Sequence, residues 1–438
     1  MSVHEHQEML TEPTASLRAR QVVQRVFRDY RGSLAVHLWD GNTLNFGAGA
    51  PHAVLTVRAP RLLRDLILFR DPLRLAEAYF QNELDVEGDL YAALELKDHL
   101  QSLNLSFFEK AVFLFTALFP GSGADSSGRA VPVPSPPRAW RPWRAHSKGA
   151  NCAAIAFHYD VSNAFYRLWL DEQMVYSCAY FESPDDSLDQ AQCNKLEHIC
   201  RKLRLKPGER LLDIGCGWGA LIRWAARHYG VQAHGITLSR EQYEYGRAKI
   251  REEGLQDWVT LERKDYRDLQ GEAVFDKIVS VGMFEHVGLR NLPTYFGITR
   301  RLLAPGGLFL NHGITQDREG WGSTVGTRFI NRYVFPDGEL DTVSNVQRAM
   351  EHAGFEILDV EALRRHYALT LRHWVQRLEA RRADARKYVP ESVFRVWRLY
   401  MAACALQFEQ GDIGVYQILA SRCDGTGQVP LTRRDLYV

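Results

Sequence analysis

The segment Leu211–Gly219, which reads LLDIGCGWG, has the residue types and spacing of a cofactor-binding turn. The run LLDI predicts a buried strand that ends at Ile214, and a helix is expected from about Ala220. Glycine between these elements permits positive φ angles and lets a ligand approach the backbone closely. The first turn of the helix leaves N–H groups without intrahelical partners, and these groups can bind a polar ligand.

The spacing of the glycines distinguishes between the cofactors that such a turn can bind. It is GxGxG, whereas the dinucleotide fingerprint is GxGxxG. An NAD site also requires an acid about 20 residues further on, and Thr237 holds that place here. A DxGxGxG segment after an apolar strand resembles instead the S-adenosylmethionine (SAM) site of Rossmann-type methyltransferases.

Four further segments carry side chains that can do chemistry. They read YSCAYF from Tyr176, SVGMFEHVG from Ser280, NHGIT from Asn311 and HYALTL from His366. The glutamate that ends an apolar run in the second segment is unusual, because Glu is seldom buried without a partner. Taken singly, the cysteine is explained equally well as a small core residue. Only the joint occurrence of the segments indicates a catalytic site.

Together with HYD at 158–160 and RYVFPDG at 332–338, these segments resemble the cyclopropane-fatty-acid synthase family, which includes the mycolic acid cyclopropane synthases. The resemblance covers residues from about 151 to 420 and depends on several motifs in a fixed order. The segment 76–90, AEAYFQNELDVEGDL, is similar to the accessory domain that precedes the catalytic domain in phospholipid-modifying bacterial members.

The resemblance implies a cyclopropane-fatty-acyl-phospholipid synthase, an enzyme that transfers a methylene group from SAM to the cis double bond of unsaturated phospholipid acyl chains. In the family the double bond attacks the methyl group of SAM and a carbocation forms. A bound bicarbonate then removes a proton and the ring closes. An anion in an apolar site is very unfavourable unless it is hydrogen-bonded on all sides.

The matching residues imply such a cage around bicarbonate. His312 and Tyr367 can donate hydrogen bonds to the anion. Glu285 can pair with the bicarbonate hydroxyl group or orient His312. Cys178 and Ile314 match family positions that contribute mainly through backbone groups, and no covalent role is expected for the thiol.

One position departs from the family pattern. Gly313 stands where family members commonly carry Thr, which leaves the neighbouring site residues in register but could loosen the chain there. The Gly-rich stretch Asp317–Thr327 is interpreted as a mobile lid over the acyl slot. Helical segments at Leu371–Leu378 and Val393–Phe408 carry many apolar side chains, which suit a core or the lining of an acyl channel.

The resemblance also implies a set of SAM-binding residues. They are Tyr176, Ser177, Asp213, Gly215, Gly217, Thr237, Leu238, Gln242, Asp265 and Tyr266. The two glycines should approach the methionine moiety, with Asp213 orienting the turn. The residues from Thr237 to Gln242 should lie at the ribose. Asp265 and Tyr266 should lie at the adenine, and the Tyr176–Ser177 segment should close over the cofactor.

Strands that alternate with helices between residues 210 and 312 predict βαβ units and a parallel sheet. The expected fold class is α/β, a Rossmann-like class I SAM-dependent methyltransferase fold with a smaller N-terminal α+β domain. Three regions are expected. They are an accessory domain over 1–119 that binds lipid or dimerises, a Pro/Gly/Arg-rich linker over 120–150, and a catalytic domain over 151–438.

Charge and composition exclude several classes of protein. Lys and Arg total 54 against 53 Asp and Glu, so a nucleic-acid partner is not expected. The seven cysteines form no CxxC pair, which argues against a metal site or a disulfide framework and favours a reduced cytoplasm. The N-terminus lacks the apolar segment of a signal peptide. The longest apolar stretch, 111–119, is too short to cross a bilayer.

The linker suggests where the protein works. Its later part combines basic residues with Trp140 and Trp143 and has no acid. Such a composition is typical of a solvated tether, and it also suits contact with anionic lipid headgroups. The expectation is a cytoplasmic enzyme that contacts the inner face of the membrane peripherally and can form a homodimer.

Three alternatives remain open from the sequence. The same cage could give a methyl- or methylene-branched chain if the carbocation rearranges before it loses a proton. An ordinary small-molecule methyltransferase would not need Glu285, His312 and Tyr367 together. A non-catalytic lipid-binding protein would not need intact SAM and anion motifs.

Overall fold

The computed structural model describes residues 17, 19–60, 62, 72–102, 148–149, 154, 162–336, 338–422, 424 and 429–437. Several features of the sequence analysis lie outside these residues: the apolar stretch at 111–119, most of the linker over 120–150, and the motif at 158–160. The chain divides into two compact units. The first comprises the described part of Met1–Pro134 together with Pro390–Ala403, and the second comprises the described parts of Ser135–Val389 and Cys404–Val438.

The described residues of the first unit that precede the linker include a four-stranded sheet and two helices that flank its last strand. Its elements are β1 (Leu34–His37), β2 (Thr43–Phe46), β3 (Ala53–Val57), α1 (Pro72–Phe80), β4 (Leu84–Gly88) and α2 (Leu90–Ser102). The strand order is β2-β1-β3-β4, with β1 and β3 parallel and the other neighbours antiparallel. A hairpin turn joins β1 to β2, where Gly41 has φ +84° and Asp40 Oδ1 accepts a hydrogen bond from Asn42 N at 2.9 Å.

One part of the predicted catalytic domain belongs to the first unit instead. Residues Pro390–Ala403 lie in the helix Glu391–Gln410, which the sequence assigned wholly to the region 151–438. The reason is a pair of buried arginines. Arg395 donates to Asn82 Oδ1 at 2.9 Å and pairs with Asp85 at 3.1 Å, and Arg398 donates to Tyr79 Oη at 2.9 Å.

The second unit is built on a seven-stranded sheet. Its strands are β5 (Arg210–Ile214), β6 (Gln232–Thr237), β7 (Val259–Arg263), β8 (Phe275–Val281), β9 (Leu303–Gln316), β10 (Phe355–Ala362) and β11 (Ile413–Arg422). The order is β10-β11-β9-β8-β5-β6-β7. The five strands β5 to β9 are mutually parallel, β11 runs antiparallel to β9, and β10 runs antiparallel to β11.

Helices connect these strands. They are α3 (Asn163–Tyr166), α4 (Leu188–Lys202), α5 (Ala220–Tyr229), α6 (Arg240–Glu252), α7 (Leu292–Leu302), α8 (Val325–Tyr333), α9 (Val343–His352), α10 (Arg364–Ala380), α11 (Arg382–Tyr388) and α12 (Glu391–Gln410). Apolar side chains on both faces of the sheet explain why helices cover both faces: Leu211 packs in one buried cluster and its neighbour Leu212 in another. The alternation of strands and helices therefore agrees with the predicted α/β class.

The sheet order creates a crevice at one strand. The chain leaves β5 towards β6 on one side and later places β8 on the other, so the order reverses beside β5. In open α/β sheets, ligands bind at the carboxyl ends of the strands that flank such a switch point. The glycine-rich turn follows β5 directly, which places it at this crevice.

The described residues carry neither a membrane span nor a metal cluster. None of their helices combines the length and apolarity that crossing a bilayer requires. Within the same residues, no group of three His, Cys, Asp or Glu side chains is arranged to hold a metal ion. The five described cysteines are free thiols.

Candidate active site

The turn after β5 has the backbone conformation that its glycines predict. Gly215, Gly217 and Gly219 have φ angles of +82°, +57° and +82°. The N–H groups of Gly215 and Cys216 both donate to Ile236 O at 3.0 Å, which fixes the turn against β6. Gly219 caps α5 without a side-chain hydrogen bond, so the first N–H groups of α5 face the crevice without a capping side chain.

A cleft of about 1070 Å³, part of it open to solvent, lies at this turn. All ten residues that the sequence assigned to the cofactor line it: Tyr176, Ser177, Asp213, Gly215, Gly217, Thr237, Leu238, Gln242, Asp265 and Tyr266. The structure therefore brings together groups that are up to 90 positions apart in the chain (176 to 266). None of the five residues assigned to catalysis is among those that line this cleft.

The polar residues after β6 form a connected pair. Thr237 Oγ1 donates to Gln242 Oε1 at 2.7 Å and accepts from Ser239 N at 3.2 Å. Thr237 and Gln242 are both buried at 5% exposure. This arrangement puts Thr237 where a dinucleotide site would present a carboxylate, and it holds the Gln242 amide beside Thr237 at the cleft.

The acid after β7 is held by its neighbour. Arg267 donates to Asp265 through Nε at 2.8 Å, Nη2 at 2.6 Å and the backbone N at 2.9 Å. Burial opposes ionisation of Asp265, yet these hydrogen bonds keep its pKa below the usual value. The carboxylate is therefore charged and fixed in position at one end of the cleft.

The segment Tyr176–Phe181 is attached on both sides. Lys195 Nζ donates to Ser177 Oγ at 3.0 Å, and Gln192 Nε2 donates to Ser177 O at 2.9 Å. On the other side Ala179 N donates to Thr370 Oγ1 at 3.0 Å. The aromatic ring of Tyr176 packs against Trp374 with the centroids 5.1 Å apart. These contacts hold the segment between α4 and α10.

Glu285 is a buried acid with one carboxylate oxygen hydrogen-bonded and the other without a hydrogen-bond partner among the described residues. Its side chain lies in the segment after β8 and is 6% exposed. Oε1 accepts a hydrogen bond from Ile314 N at 2.7 Å, whereas Oε2 is buried and has no partner among the described residues. Burial raises the pKa of Glu285 to about 7. A ligand with a donor hydrogen would satisfy the second oxygen.

His312 is buried and held in one tautomer by the neighbouring strand. It pairs with Gln417 across β9 and β11, and the Gln417 amide lies 3.2 Å from Nδ1. The amide nitrogen of Gln417 can only donate, so His312 Nδ1 accepts this hydrogen bond. The proton of the neutral imidazole then lies on Nε2. Burial, reinforced by the nearby positive charge of Lys195, lowers the pKa of His312 to about 3. The imidazole is therefore a neutral N–H donor.

Tyr367 and Cys178 are protonated donors in the same region. Burial raises the pKa of Tyr367 well above its usual value, and the negative charges of neighbours that include Glu285 add to the effect. Burial also raises the pKa of Cys178, and its Sγ–H lies within 3.3 Å of Ala179 O and 3.7 Å of Leu363 O. Cys178 is accordingly a thiol rather than a thiolate, which fits the absence of a covalent role in the sequence interpretation.

Gly313 makes room for an aromatic ring. A Cβ atom at this position would lie 1.9 Å from Phe284 Cε1 and 3.2 Å from Glu285 Oε1. Phe284 is itself buried at 3% exposure. The glycine that departs from the family pattern therefore has a local cause, and the sequence alone gave no sign of this contact.

Several residues that line the cleft were not predicted. They include Lys195, Trp218, Lys264, Arg267, Met283 and His286. A signal for Lys195 existed, because it occupies the i+7 position of a stripe that begins at Leu188 and continues through Ala191 to Ile199, all buried. A lysine within a buried stripe is unfavourable unless its ammonium group has a hydrogen-bond or ion-pair partner. For the others, proximity to the cleft follows from the fold rather than from any local pattern.

The chain is similar to known proteins over most of its length. Residues 146–418 match the family model described as mycolic acid cyclopropane synthetase, and residues 20–108 match that of a domain of unknown function. A probable fatty acid methyltransferase from Pseudomonas putida is 45% identical over 413 residues, which cover 92% of this chain and 96% of the relative.

Two further comparisons concern the larger unit. A cyclopropane-fatty-acyl-phospholipid synthase from Escherichia coli strain K12 is 42% identical over 265 residues, covering 60% of this chain and 66% of the relative. The solved structure of mycolic acid cyclopropane synthase CmaA1 complexed with SAH and CTAB superposes with a TM-score of 0.58 and 34% identity, covering 61% of this chain and 97% of that one. The predicted methyltransferase fold is confirmed.

The raised pKa of Glu285 predicts a specific dependence of stability on pH. Between its usual value and about pH 7 the folded protein holds a proton that the unfolded chain releases, so stability falls as pH rises. In bicarbonate-free buffer, the free energy of unfolding of the wild type relative to Glu285→Gln should drop by about 2–3 kcal/mol between pH 5 and pH 8. Urea unfolding at several pH values measures it. Exposed Glu272→Gln is the control for charge loss, and a difference that does not change with pH would contradict the assignment.

The contact between Gly313 and Phe284 predicts that even a methyl group is harmful there. Gly313→Ala should displace the buried ring and lower the free energy of unfolding by about 1–3 kcal/mol. Gly297→Ala is the matched control, because a Cβ atom there meets nothing within 4 Å and the residue lies in α7. The control should be neutral or slightly stabilising. Equal stabilities of the two variants in urea unfolding would contradict the prediction.

Proposed function

The chain belongs to the mycolic acid cyclopropane synthetase family, and from that premise we propose that it converts cis double bonds of phospholipid acyl chains into cyclopropane rings. Membership makes it a SAM-dependent methyltransferase of the cyclopropane synthase type. The phospholipid substrate is carried over from the name of the E. coli relative, and bicarbonate from the family chemistry. The observation that carries the proposal is the buried Glu285 carboxylate, which has one oxygen bound to Ile314 N and the other without a partner.

The cleft at β5 fits SAM. Left-handed glycines allow the close approach of the methionine moiety, and fixed polar groups stand at the opposite end, at Thr237 and Asp265. When bound, SAM would supply an electrophilic methyl group. The chain's own residues would orient it: the Gln242 amide would bind near the ribose, and Tyr176 and Ser177 would cover the cofactor from the segment that α4 and α10 anchor.

The buried polar group fits bicarbonate. When bound, bicarbonate would supply the base that takes the proton. His312 would donate from Nε2, Tyr367 would donate from its hydroxyl group, and the second oxygen of Glu285 would accept the bicarbonate hydroxyl hydrogen. Because a neutral His312 adds no positive charge, the anion retains the basicity that proton removal requires. The Cys178 thiol stays protonated and does not compete for the methyl group.

A second outcome at the same site has support of its own. The P. putida relative, which matches along 92% of the chain, is named a probable fatty acid methyltransferase rather than a cyclopropane synthase. A carbocation that undergoes a hydride shift before deprotonation would give a methylene-branched acyl chain from the same residues. Free fatty acid would then be an alternative acceptor.

Product analysis distinguishes these outcomes. The protein is incubated with SAM, bicarbonate and either vesicles of cis-unsaturated phospholipid or the free cis-unsaturated acid, and the chains are recovered for proton NMR and mass spectrometry. We expect upfield ring-proton signals from the phospholipid. Glu285→Ala should remove them, whereas Glu272→Ala should not. Mass alone is insufficient, since a ring and a methylene branch each add one CH₂.

Each other outcome has a definite meaning. Vinylic protons without ring signals would mean that the enzyme forms a methylene branch and does not close a ring. Modification of the free acid alone would remove the phospholipid from the proposal. No modified lipid, with SAM still bound, would contradict acyl alkylation as a whole.

The basic linker, with Trp140 and Trp143, supports a peripheral contact with the inner face of the membrane. The accessory domain over 1–119 would recruit lipid or form a homodimer there. Anionic headgroups attract basic segments, and salt screens this attraction. The protein should therefore sediment with anionic phospholipid vesicles at low salt and be released at about 0.5 M salt. Neutral vesicles serve as the control. Failure to sediment with anionic vesicles at low salt would contradict the membrane contact.

A further inference from the structure

Gln417 is a fully buried amide on β11, at 0% exposure. Its Nε2 lies 3.2 Å from His312 Nδ1, whereas its Oε1 is buried without a hydrogen-bond partner among the described residues. An amide oxygen left in this state costs stability, so a residue of this kind needs an explanation other than packing. The contact with His312 points to a role at the imidazole.

Three residues lie directly opposite one another on neighbouring strands. Glu361 of β10 is paired with Gln417 of β11, and Gln417 is paired with His312 of β9. Side chains that are paired in this way lie on the same face of a sheet. The three side chains therefore form a row in which the amide separates the imidazole from a carboxylate.

Helix α4 holds that carboxylate. His198 Nε2 lies 2.7 Å and Lys202 Nζ lies 2.5 Å from Glu361 Oε2, and both residues belong to α4. Burial opposes ionisation of Glu361, yet the hydrogen bond from His198 and the charge of Lys202 lower its pKa to about 2. Glu361 is therefore charged and paired with α4 rather than with His312.

The group that faces Nδ1 determines what an imidazole can do through Nε2. An ionised carboxylate accepts the hydrogen of Nδ1 and leaves Nε2 as a base, which is the arrangement of a Ser-His-Asp triad. An amide N–H group donates to Nδ1 instead, so that Nε2 keeps the proton of the neutral ring. The order of the row thus places an amide where a triad has its acid.

We propose that Gln417 is a positioning residue that makes His312 a hydrogen-bond donor and prevents it from acting as a base. This inference rests on the proposed function, in which His312 would hold bicarbonate through Nε2–H. A bare Nε2 would repel the anion and compete with it for the proton. The amide at 417 therefore leaves proton removal to the bound anion.

The position of the proton can be measured without substrate or bicarbonate. Long-range proton–nitrogen NMR of protein labelled with ¹⁵N-histidine distinguishes a protonated from an unprotonated ring nitrogen, and the His312 signals are assigned by their loss in His312→Gln. We expect a protonated Nε2 and an unprotonated Nδ1 in the wild type. In Gln417→Met the ring loses its donor, so both tautomers should be detected.

Gln417→Glu offers either kind of partner in the same place. A protonated carboxyl group donates as the amide does, and an ionised one accepts. As the pH rises and this carboxyl group ionises beside Glu361, Lys195 and Lys202, the proton of His312 should move from Nε2 to Nδ1. Gln347→Glu and Gln347→Met are the matched controls, because Gln347 is a half-buried glutamine that donates to Val343 O within α9. Both should keep the wild-type signals.

The rates should follow the proton. When Gln417→Glu holds the proton on Nδ1, kcat should be about 100-fold lower than that of the wild type at the same pH, the loss expected for one donor to an anion. Gln417→Met should lower kcat by about tenfold and raise the bicarbonate concentration that gives half the maximal rate. The KM for SAM should change by less than about threefold in both, because Gln417 does not line the cofactor cleft.

Three results would overturn the inference. A wild type with the proton on Nδ1 would do so by itself, even if the variants at 417 did not fold. An unchanged kcat in Gln417→Glu after the proton has moved would mean that the tautomer does not matter. A loss of kcat while the proton stays on Nε2 would mean that Gln417 only supports the fold. A wild type with the proton on Nε2 that modifies no lipid would overturn the proposed function and still support the placement of the proton.

Discussion

The burial of the Glu285 carboxylate is the constraint on which the catalytic region depends. An acid at 6% exposure is tolerated only if hydrogen bonds replace water, and the first of these comes from Ile314 N. That donor is available because β9 runs on to Gln316 and is held there by β11. The same requirement leaves Phe284 against β9, and only glycine at 313 admits the ring. The glycine at 313, which departs from the family pattern, is thus explained by the placement of the buried Glu285 and its neighbour Phe284.

Two electrostatic regimes lie side by side in the larger unit. The cleft at β5 contains charged groups of both signs, such as Lys195, Asp213 and Asp265, and suits a ligand with its own charges. The region around His312 holds neutral donors, because burial keeps its imidazole unprotonated and keeps the Cys178 sulfur protonated. The donors His312, Tyr367 and Cys178 in the second region are uncharged, so they would leave a bound bicarbonate its basicity. In the proposed reaction this division would separate SAM, which gives the methyl carbon, from bicarbonate, which takes the proton.

The sequence predicted those parts of the structure that local patterns determine. The end of the strand at Ile214, the turn that follows and the start of the helix at Ala220 were predicted nearly to the residue, because an apolar run and glycines mark them. The ten cleft residues could be named because they match the motifs of the family that the sequence resembles, and all but Tyr176 and Ser177 lie in or shortly after β5, β6 or β7. Contacts between distant segments could not be named: Gln417 lies 105 positions from His312, and nothing near Gln417 marks it as a partner. Lys195 was not predicted because a single lysine is ordinarily a surface residue, and only its position between the buried Ala191 and Ile199 marks it as buried.

The helix Glu391–Gln410 has a consequence for how the protein can be divided. Its first half belongs to the unit that is otherwise N-terminal in the chain, through Arg395 and Arg398, and its second half belongs to the other unit. A cut in the linker would therefore not yield an independent module. Expression of the region after the linker alone would leave two guanidinium groups without Tyr79, Asn82 and Asp85. The change of composition at 120–150 therefore does not coincide with the boundary between the two units.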